Sequence, residues 1–183
     1  MNRDDALALI RAGVKNENLI KHMLATEAIM RALAEHFGED SDLWGLAGLA
    51  HDLDYDQTLK EPKQHGRLGA KTLEEAGADP LICQAVAAHS PHYDQPRVSR
   101  LEKALFAADP LSGLIVAASL VHPQKKLASL DVSFILKRFQ EKWFAKGASR
   151  QQILSCEQIG LSLEEFIDLG LKAMQGISEE LGL

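Results

Sequence analysis

The stretch from Leu46 to Tyr55 constrains this chain most, because an apolar run of small residues ends in ionisable side chains. Residues 46–50 read Leu-Ala-Gly-Leu-Ala, and His51 and Asp52 follow directly. A helix of this composition is buried, and desolvating an imidazole and a carboxylate is costly unless a partner compensates them. A divalent metal ion is such a partner, since histidine nitrogen and carboxylate oxygen together suit Mn, Fe, Co, Ni or Zn. A single His-Asp pair is a weak signal, so its interpretation depends on the rest of the chain.

Length and charge limit the classes of protein that remain. The chain has 183 residues, of which 46% are hydrophobic, so we expect one domain with a sizeable core. Lys and Arg number 20 against 26 Asp and Glu, which gives a net charge of -6, and the longest basic cluster is Lys125-Lys126. Binding of duplex DNA or RNA requires several phosphates to be neutralised. This composition therefore disfavours a nucleic acid duplex as the main partner.

The sequence also predicts a location. Cys83 and Cys156 lie far apart without a metal-binding or redox spacing, which favours two reduced thiols. The acidic N-terminus lacks the form of a signal peptide, and we find no stretch of 18 apolar residues that predicts a membrane span. These features predict a cytoplasmic protein that does not interact with a membrane.

Hydrophobic periodicity predicts helices along the whole chain. Apolar residues recur three and four positions apart, and polar caps, glycines and prolines separate the segments. We find no alternating pattern typical of strands, so the predicted class is all-α, a compact multi-helix bundle. The predicted helices cover residues 4–14, 18–37, 42–53, 65–77, 79–89, 99–120, 131–146, 149–159 and 162–181.

Four candidate metal ligands face inward from separate helices by this periodicity. His22 lies three residues after Leu19 on an apolar face, and Asp109 lies among alanines and leucines directly before Pro110. With the pair His51-Asp52 they predict a metal site. Each has a simpler explanation: His22 is a core histidine with a backbone hydrogen-bond partner, or Asp109 caps a new helix that starts at Pro110.

The order His22, then His51-Asp52, then Asp109 resembles the HD-domain superfamily of metal-dependent phosphohydrolases. The resemblance covers roughly residues 18–120, and helices in residues 130–183 are expected to pack on that core. It implies that these four residues bind one metal ion. Some branches of the superfamily bind a second ion through two further histidines, which here look like His65 and His89, with Asp52 bridging the two ions.

The resemblance further implies hydrolysis of a phosphomonoester or phosphodiester in a small phosphorylated molecule, with a nucleotide as the expected substrate. One or two divalent ions (Mn, Fe, Co, Ni, Mg or Zn) would serve as the cofactor. Many relatives place Lys or Glu three residues after the motif Asp, where this chain has Tyr55. The general acid or base is therefore open, and the candidate catalytic residues are Asp52 and Asp54. Candidate phosphate ligands are Arg67, Lys125 and Lys126, although each could equally be a solvated surface cation.

Two other functions remain open at this point. A histidine-rich di-iron form of the same scaffold carries out oxidative chemistry, and a non-catalytic HD module could bind a nucleotide or a partner for signalling. Histidines His36, His92 and His122 are expected to be surface residues. The sequence names neither the substrate, nor the metal, nor the oligomeric state.

Overall fold

A computed structural model describes all 183 residues and consists of helices and their connections, so the predicted all-α class is confirmed. Short 3-10 turns at Pro62–Gln64, Leu127–Ser129 and Ser155–Ile159 supplement the α-helices. The eleven α-helices are α1 (Arg3–Gly13), α2 (Glu17–Phe37), α3 (Ser41–Ala50), α4 (Tyr55–Thr58), α5 (Arg67–Glu75), α6 (Pro80–His89), α7 (Arg100–Val121), α8 (Val132–Gln140), α9 (Arg150–Leu154), α10 (Leu163–Gly176) and α11 (Ser178–Leu181).

One apolar cluster of 42 buried residues runs from the first helix to the last and forms the core. Helix α7 lies at its centre and packs against α2, α6, α9 and α10, while α2 packs most extensively on α3. The C-terminal helices thus share the core of the motif-bearing region, because α10 lies against both α2 and α7.

Helix α7 differs from the sequence-based expectation in two ways. It is long and apolar enough to cross a membrane by length and composition, with a mean hydropathy of 1.8 over 18 residues, although 61% of that window is buried in the bundle. Pro110 lies inside this helix and does not begin a new one. Asp109 is therefore not an N-cap, and the capping explanation of this residue is wrong.

The end of α3 sets the direction of the His-Asp pair. Asp40 caps the helix, because its side chain accepts from the backbone N–H groups of Asp42 and Leu43. The helix ends at Ala50 and not near Leu53, and the next residues form a turn with tighter bonds such as Leu53 N–H to the Ala50 carbonyl. His51 and Asp52 thus leave the helix on a tight turn.

Two glycines allow close backbone approach beside these residues. A Cβ at Gly48 would lie 2.9 Å from the Thr26 carbonyl oxygen, so α3 can approach α2 this closely only with glycine there. Gly66 has φ +81, and a Cβ there would lie 2.8 Å from the Val86 carbonyl oxygen on α6. Helix α5 therefore begins at Arg67, two residues later than expected, and His65 lies in the preceding turn.

The C-terminal region is less regular than predicted. Helix α8 ends at Gln140, and the residues up to 148 form a loop where the sequence predicted a helix to residue 146. Arg150 explains this loop, since its guanidinium donates to several carbonyl groups between Arg138 and Ala148. A side chain that satisfies these carbonyls stabilises an irregular backbone over a continued helix.

The close contact at Gly48 yields a stability prediction. Replacing Gly48 by Ala should lower the free energy of unfolding by about 1–3 kcal/mol, because the new methyl group meets backbone atoms of α2 that cannot move aside. Gly113→Ala is the matched control, since a Cβ there meets nothing within 4 Å. It should raise stability by up to about 1 kcal/mol through helix propensity. Denaturant unfolding of both variants checks this, and equal effects of the two changes would contradict it.

Candidate metal centre

Five structural elements bring all six predicted ligands to one place. The contributing elements are α2, the turn after α3, the turn before α5, the end of α6 and the middle of α7. The side chains that meet are those of His22, His51, Asp52, His65, His89 and Asp109.

The first group of ligand atoms contains Asp52 Oδ2, Asp109 Oδ1 and two histidine nitrogens. The Nε2 atoms of His22 and His51 lie 3.1 Å apart. His22 Nε2 lies 3.2 Å from Asp109 Oδ1 and 3.6 Å from Asp52 Oδ2. His51 Nε2 lies 3.5 Å from Asp52 Oδ2 and 3.8 Å from Asp109 Oδ1. Four ligand atoms from three elements thus face a common point.

The second group uses the other oxygen of Asp52. The Nε2 atoms of His65 and His89 also lie 3.1 Å apart. Asp52 Oδ1 lies 3.3 Å from His65 Nε2 and 3.5 Å from His89 Nε2. One carboxylate therefore directs a different oxygen at each pair of imidazoles.

These spacings fit metal coordination. Two ligand atoms, each 2.1 Å from one ion and 90–110° apart, lie about 3.0–3.4 Å from each other. The shortest separations within both groups fall in this range, and the others exceed it slightly. Nitrogen and carboxylate donors in this mixture are the ligands of first-row transition metals.

The buried imidazoles are oriented by carbonyl groups of their own helices. His51 Nδ1 donates to the Gly48 carbonyl at 2.8 Å, and His89 Nδ1 donates to the Val86 carbonyl at 2.6 Å. A carbonyl oxygen only accepts, so Nδ1 carries the proton in each ring. Each Nε2 therefore presents a lone pair to the cluster.

The two outer imidazoles are oriented by side chains. His65 Nδ1 donates to Asp54 Oδ1 at 2.9 Å. His22 Nδ1 lies 2.8 Å from Ser112 Oγ, and this hydroxyl donates to the Asp109 carbonyl, so it accepts from His22. In all four histidines Nδ1 therefore donates its proton to a fixed partner, and Nε2 is the atom that can bind an ion once it is deprotonated.

This arrangement is unfavourable without a cation. The Nε2 atoms lie 3.1 Å apart in both histidine pairs, and between neutral rings two lone pairs would face each other with no polar hydrogen between them. Two carboxylates point at the same positions. A positive charge between these atoms turns the repulsion into attraction, which is the physical requirement that a bound metal ion meets.

The pKa values of the ionisable groups also show that the cluster favours positive charge. Burial by itself lowers the pKa of His65, but hydrogen bonds to Asp52 and Asp54 outweigh it and raise the pKa to about 10. Burial opposes ionisation of Asp52, yet the neighbouring histidines hold the pKa of this carboxyl well below its usual range. Burial dominates at His51, where it lowers the pKa to about 4, so this imidazole is a neutral ligand.

Asp54 lies behind His65 and not at the open face of the cluster. Its side chain is buried, Oδ1 accepts from His65, and Oδ2 accepts from the backbone N–H groups of Gly66 and Gly69. Both oxygens are therefore occupied by protein donors. The structure does not support the prediction that Asp54 is a catalytic acid or base. Its contacts instead orient the His65 imidazole.

The predicted phosphate ligands are not brought to the cluster. Arg67 is paired with Asp94 at 2.6 Å on an exposed surface of α5. Lys125 and Lys126 lie beyond the end of α7, and the twelve helical steps from Asp109 to Val121 alone span roughly 18 Å.

Three cavities border the ligands of the cluster. At His65, a cavity of about 200 Å³ is lined also by His92 and Tyr55, whose ring lies edge-on to the His65 imidazole. At His22, a cleft of about 330 Å³ is lined by Asp109 and small residues of α7 and of the loop after α8, and a second cavity of about 430 Å³ is lined by residues of α2, α7 and the C-terminus. His36 and His92 are exposed, and His122 is half-buried and away from the cluster, against Phe134.

Sequence reasoning missed Ser112 as a contributor. Its hydroxyl bridges His22 to the Asp109 backbone and thereby connects two ligands on different helices. A signal was present, since Ser112 lies three residues after Asp109 on the same face of α7. The roles of the Gly48 and Val86 carbonyls carried no side-chain signal at all.

Comparison with known proteins agrees with this site. A family model described as HD domain matches residues 19–114, just over half of the chain. Ribonuclease Y from Desulfotalea psychrophila is 27% identical over 168 residues, which cover 90% of this chain and 32% of that protein. Ribonuclease Y 2 from Levilactobacillus brevis is 30% identical over 97 residues, which cover 53% of this chain and 18% of that protein. The chain thus spans a third or less of the length of these relatives.

The hydrogen bonds behind the imidazoles yield a prediction about metal affinity. Asp54→Asn should weaken binding of the ion held by His65 by about 10–100-fold, because the ring loses its anionic acceptor. Ser112→Ala should weaken the ion held by His22 for the same reason. Calorimetric titration of Mn into each metal-free variant measures both constants. Unchanged constants in the two folded variants would contradict the positioning roles.

Proposed function

This chain belongs to the HD-domain family, and we propose that it is a metal-dependent hydrolase that cleaves phosphodiester bonds of a nucleotide or an RNA. The family supports the hydrolase class. The bond type and the substrate are the parts that this proposal adds.

The observation that carries the proposal is that the two oxygens of Asp52 face different pairs of histidines. Its Oδ2 lies with the His22 and His51 imidazoles, and its Oδ1 lies with those of His65 and His89. A carboxylate so placed can bridge two ions, and two-ion sites are frequent in enzymes that hydrolyse phosphate esters. We therefore propose that all six residues of the cluster are metal ligands.

Divalent ions held by these residues would supply an activated water near neutral pH and would neutralise charge that develops on the phosphoryl oxygens. The protein itself keeps the inner part of the cluster dry, since His51 and His89 are fully buried. Asp109 and His22 are partly exposed and border the cleft, so the phosphate group would approach on their side. Asp54 orients the His65 imidazole, and Ser112 orients the His22 imidazole.

The relatives favour a phosphodiester over a phosphomonoester. The curated proteins reported above carry the name Ribonuclease Y, and a ribonuclease acts on the phosphodiester bonds of RNA.

Asp52 provides the direct test. Asp52→Ala should lose bound metal and reduce hydrolysis of bis(4-nitrophenyl) phosphate and of RNA to the background rate, because it removes the bridging carboxylate. The fold should persist, since the change also removes a buried charge from the metal-free cluster. Metal analysis and initial rates with Mn, Co, Ni, Mg and Fe measure this. A folded variant with full metal content and activity would overturn the proposal.

The same measurements on the unmodified protein separate the two other functions. Oxygen uptake with retained iron and without ester hydrolysis would indicate an oxygenase. Tight nucleotide binding without turnover under any of the five metals would indicate a signalling module. Either result would contradict the proposed hydrolase.

The number of bound ions is a separate prediction. Protein saturated with Mn should hold close to two ions per chain, and His65→Ala or His89→Ala should reduce this towards one, because each removes a ligand that faces Asp52 Oδ1. His36→Ala is the control, since this exposed histidine lies in the last turn of α2, far along the helix from His22. If saturated wild-type protein holds one ion and both variants match it, His65 and His89 are structural residues.

A further inference from the structure

An exposed tryptophan lies on the loop that follows α8. Trp143 is 72% exposed, whereas Trp44, the other tryptophan of the chain, is 4% exposed. An indole ring offers about 150–250 Å² of largely apolar surface, and most tryptophans contribute this area to a core or an interface. Trp143 is therefore available for a contact from outside the bundle.

Two lysines flank this ring. Lys146 Nζ lies 4.3 Å and Lys142 Nζ 5.6 Å from the centre of the Trp143 ring. The acidic neighbour Glu141 is already paired with Arg138 at 2.7 Å, and the lysines that form ion pairs in this protein are others. The loop thus presents an aromatic face with two uncompensated positive charges, although the chain as a whole is acidic.

The loop is held in a defined conformation. The Arg150 guanidinium donates to the carbonyl groups of five residues, with distances of 2.7–3.4 Å: Arg138, Phe139, Phe144, Ala145 and Ala148. A side chain with this many partners fixes the backbone on both sides of Trp143. The backbone that carries the ring is consequently held in place, which lowers the entropic cost of binding.

The same loop forms a wall of the metal cleft. Ala145, Gly147 and Ala148 line the cleft of about 330 Å³ that also contains His22 and Asp109. Trp143 precedes Ala145 by two residues, so its backbone lies within about 7 Å of that wall. The rest of the wall consists of small residues of α7, which leave the path from the loop to the cluster free of large side chains.

We propose that this loop, residues 141–148, binds single-stranded nucleic acid and directs it along the cleft to the metal centre. A base would stack on Trp143, and Lys142 and Lys146 would contact the adjoining phosphates. Stacking on aromatic rings together with lysine contacts to the backbone is how proteins bind single strands. The inference rests on the proposed phosphodiester hydrolysis. It adds the residues that would make a nucleic acid strand the preferred substrate over a single nucleotide.

The observations favour a single strand over a duplex. A base can stack on an indole ring only when its own face is free, which a base pair within a helix does not provide. Duplex binding depends on many phosphate contacts, and the loop offers two cations on a protein with a net charge of -6. A flexible lysine end that covers the ring can move to the phosphate when a base arrives.

Intrinsic fluorescence tests the contact directly. A short single-stranded oligonucleotide with phosphorothioate linkages, which resist hydrolysis, should quench the fluorescence of the Mn-loaded protein. The quenching should be lost in Trp143→Phe, because the remaining Trp44 is buried. By an independent binding assay, Trp143→Phe should retain affinity through stacking, while Trp143→Ala and Trp143→Leu should bind about 5- to 150-fold more weakly. Equal affinity of Trp143→Leu and wild type would overturn stacking.

Salt dependence tests the lysines. The slope of log K against log salt should fall by about 1.4 in the double variant Lys142→Ala/Lys146→Ala, since each phosphate contact to a single strand contributes about 0.7. The control Lys71→Ala/Lys172→Ala removes the same net charge from lysines that are paired elsewhere. An equal loss of slope in the control, or equally tight binding of the duplex form of the oligonucleotide, would overturn the proposal.

Hydrolysis of bis(4-nitrophenyl) phosphate by the wild-type protein separates the two proposals. Turnover of this small ester without oligonucleotide quenching would refute the role of the loop and leave the hydrolase in place. Quenching without turnover under any of the five metals would refute the hydrolase and leave the binding loop in place. Quenching together with turnover, each lost in its own variants, supports both.

Discussion

The rest of the structure has to hold together a cluster of histidines and carboxylates that repel one another when the imidazoles are neutral. Two pairs of imidazoles direct their Nε2 atoms at each other across 3.1 Å, and the Asp52 carboxylate lies between the pairs. The apolar bundle has to hold these groups in place, because nothing within the cluster itself attracts them to one another except ionisation or a bound cation. The close packing of α2 on α3 at Gly48 and of α5 on α6 at Gly66 provides that constraint through backbone atoms, which cannot relax as side chains do.

Two kinds of hydrogen bond orient the imidazole rings of the cluster. The buried rings of His51 and His89 are fixed by carbonyls three residues earlier in the same chain segment, so their direction is determined locally. The outer rings of His22 and His65 are fixed by side chains of other elements, Ser112 later in the chain and Asp54 earlier. A site of this kind combines local precision with tertiary packing, and losing either part would leave a histidine that is present but turned away from the ion.

Much of the fold and of the site was predictable from the sequence, for physical reasons that apply to particular residues. An inward His22 and Asp109 followed from the helical period, which places positions three and four apart on one face. The outcome differed where three-dimensional contacts override local preference. Pro110 stays within α7, and the residues after Gln140 leave the helix because the Arg150 guanidinium satisfies their carbonyls. Asp54 has the right residue type for catalysis, and only the structure shows that three protein donors occupy its oxygens.

Unequal burial within the cluster determines how ions enter and leave. The side chains of His51 and His89 are 0% exposed, whereas those of His65, His22 and Asp109 are 15%, 23% and 26% exposed. An ion that entered this cluster would meet the outer ligands first and the inner imidazoles afterwards, and it would leave past the same outer side chains. The outer histidines and Asp109 would therefore control the exchange of metal with solvent, while the inner nitrogens would have no direct contact with water.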